Sequence, residues 1–135
     1  MLRIAQRATG ELGGGGAGGP FYGELPPRSM GTVIDALAAC CGLDARALLL
    51  DVGAGRGLPG LGAAQRAGCA SLGVECEEER WAQSIHNLAA VHEVAASDAE
   101  LNTAVGFVHG DITSATTLDP FTHVYMFDTG FPEAT

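Results

Sequence analysis

Apolar positions along the chain follow two spacings in turn, which predict alternating helices and strands. Between positions 28 and 41 they recur every three or four residues, which is the spacing of one helical face. Ser29 is the predicted cap of this helix, and Gly42 is its predicted end. Residues 47–52, ALLLDV, form a short unbroken apolar run, which is typical of a strand covered on both faces. The helical face consists of Met30, Val33, Ile34, Leu37 and Cys41.

The alternation continues through the rest of the chain. The remaining predicted elements are a helix at 58–67, a strand at 70–74, a helix at 77–95, a strand at 104–109 and a strand at 122–127. Pro59 falls in the first turn of its helix, where a missing N–H costs nothing. The longer helix opens with three glutamates, which the positive end of a helix dipole favours. The apolar face predicted for this helix consists of Trp81, Ile85, Leu88 and Val91 or Val94.

Strands that alternate with helices predict a parallel sheet joined by right-handed crossovers. We therefore predict an α/β, Rossmann-like domain over residues 21–135, with helices flanking the sheet. Its four strands are fewer than most nucleotide-binding sheets have, so we expect the domain to be truncated after the fourth strand. Residues 1–20 are predicted to be a disordered, glycine-rich segment, because residues 8–20 contain seven glycines and cannot hold a packed conformation.

Charge and hydropathy limit the partners of the chain. Its formal net charge is −9, and all seven basic residues are arginine. Scattered arginines do not supply the positive cluster that binds a nucleic-acid backbone, so no nucleic-acid patch is predicted, although an acidic surface suits a basic protein substrate. No apolar run approaches the ~20 residues of a transmembrane helix. We expect a single domain, a monomer, without membrane contact or secretory signal.

Neither the cysteines nor the histidines predict a metal site. No two cysteines have the two-residue spacing of a zinc hook, so we expect reduced thiols that pack as small apolar groups. His86 and His92 are six residues apart, which does not place them on one helical face. The cysteines are Cys40, Cys41, Cys69 and Cys76, and the other histidines are His109 and His123.

The loop after the first predicted strand has the pattern D-x-G-x-G-x-G and begins at Asp51. Glycines let backbone approach a ligand closely, and the following helix presents its N-terminal N–H groups to that ligand. An acid here suits a ligand with an ammonium group and repels a pyrophosphate. S-adenosylmethionine has an ammonium, a sulfonium and no phosphate, so it is the predicted cofactor. The predicted contacts from this loop are Asp51, Gly53, Ala54, Gly55 and Gly57.

Two more acids follow the next two predicted strands. Glu75 ends the second strand, where a carboxylate can accept both ribose hydroxyls. Asp111 follows the third strand and can accept the adenine amino group, while Ile112 packs on the ring. The carboxyl ends of parallel strands share one edge of a sheet. The three acids are therefore predicted to converge on one crevice.

Each of these acids also has a simpler interpretation. Asp51 could cap the following helix, and Glu75 could belong to a solvated run of glutamates. Asp111 could cap a turn together with Thr113 or Ser114. The glycine spacing of the loop, with the acid at 75 beyond it, also fits the G-x-G-x-x-G fingerprint of a dinucleotide-binding dehydrogenase.

Several short motifs occur in a characteristic order. They are F-Y-G-E at 21–24, S-M-G-T-V-I-D-A-L at 29–37, L-L-D-V-G-A-G-R-G at 49–57, G-V-E at 73–75 and H-G-D-I at 109–112. In this order they resemble the disruptor-of-telomeric-silencing (DOT-one-like) histone lysine methyltransferases, which are non-SET enzymes. The resemblance implies a class I, seven-strand methyltransferase fold. It also implies S-adenosyl-L-methionine as donor, histone H3 in nucleosomes as substrate, and the nucleus as location.

Two segments carry roles that only the resemblance implies. The family's Y-G-E loop closes over the donor, which implies donor contacts for Tyr22, Gly23 and Glu24; the alternative is a plain turn with a packed aromatic residue. Residues 124–131, V-Y-M-F-D-T-G-F, occupy the place of the family's N-N-F-A-F segment, which lines the channel for the substrate lysine. Phe131 matches its last aromatic residue.

The remaining differences from the family concern Asp128 and Leu58. Asp128 is implied as a catalytic residue but stands where the family has asparagine. It could hold the lysine amine, yet a carboxylate also favours the protonated, unreactive amine. Leu58 stands where the family tends to have glutamine, which removes a polar contact to the methionine end of the donor. The predicted function is an incomplete histone-lysine N-methyltransferase domain, and the alternatives are a class I methyltransferase of another substrate or an inactive donor-binding module.

Overall fold

The structure is a computed structural model that describes residues 23–96 and 104–128. Helices and strands alternate along these residues, apart from a short 3₁₀ turn at Ile112–Ser114. The elements are α1 (Pro27–Cys41), β1 (Leu48–Val52), α2 (Leu58–Ala67), β2 (Ala70–Glu75), α3 (Glu78–Ala95), β3 (Val105–His109) and β4 (His123–Met126). The glycine-rich segment predicted at residues 1–20 lies outside the described residues.

The four described strands form one parallel sheet in the order β3-β2-β1-β4. The chain adds β2 and β3 on one side of β1 and then returns to the other side to add β4. Ligands of open parallel sheets bind outside the carboxyl ends of the strands at such a reversal. The predicted α/β fold, with a parallel sheet and flanking helices, is confirmed.

All three helices pack on one face of the sheet. In the sheet register, Leu49 of β1 lies on the same face as Phe107 of β3 and Tyr125 of β4. Leu49 packs in a cluster with residues of α1 and α2, and Phe107 packs against a second cluster formed by α2 and α3. The first cluster is Met30, Ile34, Leu43, Ala47, Leu49, Ala63 and Cys69, and the second is Leu58, Leu61 and Val91.

On the opposite face of the sheet, the strands that the structure describes carry no polar side chain. This face consists of Leu48, Leu50, Val52, Ala70, Leu72, Val74, Gly106, Val108, Val124 and Met126. The two clusters in which the described helices pack on the sheet contain none of these residues. Leu50 and Val52 in the inner strand β1 are buried, whereas Val108 and Val124 on the outer strands are 47% and 48% exposed.

The start of α1 differs from the predicted one. Pro26 rather than Ser29 is the N-terminal cap, and the helix begins at Pro27. A proline is suited to this place because the first turn of a helix has no intrahelical partner for its N–H. The helix ends at Gly42, as predicted, and this glycine has the left-handed φ of 73°.

The buried face of α3 also differs from the predicted one. Ile85 was expected on the apolar face but is 39% exposed, and of the two alternatives at its end Val94 is 38% exposed. Val91 is buried, and beside it the helix buries the polar side chains of Ser84 and Asn87. Apolar spacing alone misplaced this face because two of its central positions are polar.

The described cysteines are all free thiols, but only Cys69 is buried. The prediction that the thiols pack as small apolar groups is therefore wrong for Cys40, Cys41 and Cys76. Within residues 23–96 and 104–128, no group of histidine, cysteine and acidic side chains is arranged to hold a metal ion. No described helix has the length and apolar character that crossing a membrane requires.

Candidate functional site

The glycine-rich loop between β1 and α2 passes through three left-handed glycines. Gly53, Gly55 and Gly57 have φ angles of 72°, 54° and 84°, and glycine adopts this region without the strain that a Cβ causes. A Cβ on Gly57 would lie 2.2 Å from Cζ of Phe107. The Phe107 ring therefore fills the space that the glycine leaves. The sequence pattern indicated a ligand-facing role for this glycine and missed its packing role.

Glu75 anchors this loop to the end of β2. Its side chain is 4% exposed. Oε2 accepts a hydrogen bond from the N–H of Gly55 at 2.8 Å, and Oε1 accepts one from the N–H of Glu77 at 2.9 Å. Nη1 of Arg80 lies 3.9 Å from Oε1. The alternative interpretation of Glu75 as a member of a solvated run of glutamates is wrong, because its carboxylate is buried and accepts a hydrogen bond from the loop.

Asp51 lies in β1 behind the same loop and is 1% exposed. Neither of its carboxylate oxygens has a hydrogen-bond partner among the described residues. Burial raises the pKa of Asp51 to about 7, and the charge of Glu75 adds to this increase. The nearby backbone N–H of Gly60 lowers the pKa in part, but its geometry is not that of a hydrogen bond. A buried carboxylate without a partner is costly. A cation or a hydrogen-bond donor from a ligand would relieve that cost.

Asp111 lies at the surface beyond the end of β3. It caps the 3₁₀ turn, since its Oδ1 accepts from the N–H and from the hydroxyl of Thr113, at 2.9 and 2.7 Å. These hydrogen bonds lower the pKa of Asp111. The capping interpretation is thus confirmed in this structure, and the contact of Asp111 with adenine stays a prediction. Of the three predicted acids, Asp51 and Glu75 lie together and buried, while Asp111 is exposed and bound to its own turn.

An aromatic pair near the ends of β2 and β3 was not predicted. The rings of Trp81 and His109 stack with their centroids 5.4 Å apart and an interplanar angle of 25°. Nε1 of Trp81 donates to the carbonyl of Phe107 at 3.4 Å, and Nε2 of His109 lies 3.0 Å from the carbonyl of Cys76. Apolar spacing predicts Trp81 only as part of the core face of its helix. His109 at a strand end, next to the H-G-D-I motif, was the signal that could have revealed the pair.

A cleft opens where the sheet order reverses, between the carboxyl ends of β1 and β4. Its lining includes Gly23, Glu24 and Leu25 ahead of α1, Gly53, Ala54 and Gly55 of the loop, Leu58 and Pro59 of α2, and Tyr125 and Phe127. Apart from Glu24, these lining residues carry no charge. Burial raises the pKa of the Tyr125 hydroxyl, and the nearby Asp51 charge raises it further. The cleft is therefore mainly apolar and touches the loop on its open side.

Glu24 pairs with a residue that the sequence analysis did not single out. Arg56, in the middle of the loop, is buried, and its guanidinium donates to both carboxylate oxygens of Glu24. The signal that could have revealed it was a lone arginine among glycines. Asp128 is exposed just beyond the cleft. The two aromatic residues implied by the resemblance, Tyr22 and Phe131, lie outside the described residues.

Comparison with known proteins gives similarities of structure only. No protein-family model matches the sequence, and no curated protein matches it. Among solved structures, the chain resembles a putative RNA methyltransferase from Pyrococcus horikoshii with a TM-score of 0.61 and 17% identity, covering 92% of this chain and 57% of that one. It resembles a SAM-dependent methyltransferase from Thiobacillus denitrificans, in complex with S-adenosyl-L-homocysteine, with a TM-score of 0.59 and 19% identity, covering 93% and 42%.

A third similar structure is an RNA methyltransferase from Salinibacter ruber in complex with S-adenosyl-L-homocysteine. Its TM-score is 0.52 at 23% identity, and the match covers 70% of this chain and 56% of that one. The chain thus spans about half the length of the structures it matches. The shared part is the parallel sheet with its flanking helices. The chain therefore has the Rossmann-like fold of S-adenosylmethionine-dependent, class I methyltransferases.

Proposed function

We propose that the chain is the donor-binding part of an S-adenosylmethionine-dependent methyltransferase. The observation that carries the proposal is the buried, unpartnered carboxylate of Asp51 beside the glycine-rich loop at the reversal of the sheet order. Such a carboxylate fits the ammonium of the donor's methionine end. It does not fit a pyrophosphate, which two neighbouring buried acids would repel. This argues against the dinucleotide interpretation of the loop.

The adenosine half of the donor has a matching set of groups. Glu75 ends β2 with a carboxylate that now accepts two backbone N–H groups and would accept the ribose hydroxyls instead. The stacked rings of Trp81 and His109, with Asp111 and Ile112 beyond them, offer flat apolar surface and an acceptor for adenine. When bound, S-adenosylmethionine supplies a methyl group activated by its sulfonium. The chain's own part is to orient the donor and to keep water away from it.

For the substrate, we propose a lysine of histone H3 in nucleosomes, because the motif order resembles the non-SET histone lysine methyltransferases. The mainly apolar cleft lined by Tyr125 and Phe127 suits the aliphatic part of a lysine. The net charge of −9 suits a basic partner and opposes RNA. Asp128 and Phe131 would position the amine, and Tyr22 and Gly23 would close over the donor. A nuclear location and a monomeric chain belong to the same proposal.

Donor binding is tested by titration calorimetry of the chain with S-adenosylhomocysteine and, separately, with NAD⁺. We expect binding of the first and none of the second. Asp51→Asn should weaken binding by roughly tenfold or more, since the ammonium keeps an acceptor but loses the opposite charge. Absence of binding by the folded wild-type chain would contradict the proposal. Binding of NAD⁺ that Asp51→Asn leaves unchanged would support the dehydrogenase alternative.

The substrate is tested by transfer of labelled methyl from S-adenosylmethionine by the full-length gene product. Nucleosomes, free histone H3 and RNA of similar mass are compared in parallel. Label on a histone H3 lysine, lost in Asp51→Asn, supports the proposal. Label on RNA alone would replace the substrate and leave the methyltransferase assignment in place. Donor binding without transfer to any of the three would identify an inactive donor-binding module.

A further inference from the structure

A buried ion pair joins the glycine-rich loop to the segment that precedes α1. The side chains of Arg56 and Glu24 are 2% and 17% exposed. Nε of Arg56 donates to Oε1 of Glu24 at 3.1 Å, and Nη2 donates to the other carboxylate oxygen. Two parallel hydrogen bonds of this kind fix orientation as well as distance. The pair therefore fixes residues 23–25 against the loop.

The loop end of this pair is itself held in place. Nδ2 of the buried Asn87 in α3 donates to the carbonyl of Arg56 at 3.0 Å. The N–H of the preceding residue, Gly55, donates to Glu75 at 2.8 Å. The backbone at Arg56 is thus fixed by a helix on one side and by a strand on the other. Because the Arg56 backbone is fixed, its side chain holds Glu24 in a fixed position as well.

The residues fixed in this way form one wall of the cleft. Gly23, Glu24 and Leu25 line it together with the loop residues Gly53–Gly55. We propose that Arg56 is a positioning residue of the donor site, which holds residues 23–25 as a wall of the cleft through its pair with Glu24. The inference rests on the proposed function for the identity of the ligand. It goes beyond that function because the motif resemblance assigns a role to Glu24 and none to Arg56.

The chain contains a matched control pair. Arg66 of α2 and Asp35 of α1 make the same two-pronged contact, with Nε donating to Oδ1 at 2.9 Å. Their side chains are 45% and 59% exposed, and neither lines the cleft. Water hydrates the charge that remains when an exposed pair is broken, whereas a largely buried charge is hydrated much less. Arg56→Met and Arg66→Met therefore remove the same groups in two different environments.

The experiment compares these two variants with the wild-type chain by two measurements. The first is the rate at which a glutamate-specific protease cleaves after Glu24 in the donor-free protein, resolved by mass spectrometry. The second is the Kd for S-adenosylhomocysteine. We expect Arg56→Met to raise both the cleavage rate and the Kd by roughly tenfold. Arg66→Met should change neither by more than about twofold.

Unchanged cleavage and unchanged Kd in a folded Arg56→Met variant would overturn the inference. If that variant does not fold, Arg56→Lys replaces it, because it keeps the charge and loses the two-pronged geometry. Arg56→Lys should show the same two changes at smaller size, and wild-type values would overturn the inference. If the wild-type chain does not bind S-adenosylhomocysteine, the proposed function fails, and the cleavage rates alone decide whether Arg56 holds residues 23–25.

Discussion

At the scale of single residues, the site combines a buried acid without a partner with a glycine that cannot be replaced. The Asp51 carboxylate lies behind the loop and its pKa is raised to about 7, chiefly by burial. Gly57 packs so closely on Phe107 that no side chain fits. The buried acid costs stability in the chain alone and makes sense in a binding site, where function often conflicts with stability. The glycine, by contrast, lets the loop pack on Phe107.

Asp51 is expected to make the donor-free chain less stable as the pH rises from about 4 to about 7. The folded chain keeps the Asp51 proton up to a pKa of about 7, whereas the unfolded chain loses it near pH 4. The folded state therefore binds more protons in this window, and each pH unit removes up to about 1.4 kcal/mol of stability. Asp51→Asn should flatten this slope and exceed the wild type in stability at about pH 8, measured by urea unfolding.

The exposed Asp111 provides the control for this experiment, because hydrogen bonds from Thr113 lower its pKa. Asp111→Asn should therefore leave the slope between about pH 5 and pH 7 as it is in the wild type. A slope in Asp51→Asn as steep as that of the wild type would show that Asp51 is not the group that titrates.

Gly57→Ala is expected to destabilise the fold more than Gly42→Ala. Both glycines have a left-handed backbone conformation, with φ of 84° and 73°. An alanine in this conformation is strained, so each substitution lowers the free energy of unfolding by about 1–2 kcal/mol. Only the Gly57 position adds a clash, which costs roughly 1–3 kcal/mol more, because nothing lies within 4 Å of a Cβ on Gly42. Urea unfolding measures the difference. Gly57→Ala should cost less in a Phe107→Val background than in the wild type, because the smaller side chain removes the clash. An equal cost in the two backgrounds would contradict the account.

At the scale of elements, α3 shows that a helix can serve the site by burying polar groups. Its core face includes Asn87, which bonds to the loop carbonyl at Arg56, and Ser84, whose hydroxyl donates to the carbonyl of Trp81 at 2.7 Å. The apolar residues Ile85 and Val94 lie outside that face. The helix thus connects the core with the loop instead of only covering the sheet.

Asn87→Ala is expected to lower the free energy of unfolding by roughly 1–3 kcal/mol, because the Arg56 carbonyl loses its buried donor. Ile85→Ala on the exposed side of the same helix should cost less than about 1 kcal/mol. Chemical denaturation of both variants provides the measurement. An equal loss in the two would mean that α3 is held by its apolar residues alone.

At the scale of the whole molecule, the sequence predicted the order and type of the elements and the acids at the strand ends. The spacing of apolar residues and the turn residues determine the order and type of the elements locally. Examples are the unbroken apolar run of β1 and the end of α1 at Gly42. The pair of Arg56 with Glu24 could not be predicted, because 32 positions separate its members and no local pattern joins them. The exposed sides of the outer strands could not be predicted either, because exposure depends on which face the helices cover.

The apolar second face of the sheet is expected to bind a hydrophobic dye such as anilinonaphthalene sulfonate. Val108 and Val124 on its outer strands are almost half exposed, and exposed hydrophobic surface binds such probes. Val124→Thr and Val108→Thr together should reduce the dye fluorescence. The same substitution at Val94, which is exposed on a helix, is the control. Equal fluorescence in all variants would place the dye elsewhere.

The stacked rings of Trp81 and His109 have one more consequence. The sequence contains a single tryptophan, and it stands at the place proposed for adenine. Its emission therefore comes from one known position. A nucleoside that inserts beside that indole will alter its colour or brightness, so the protein can report its own occupancy without any attached label.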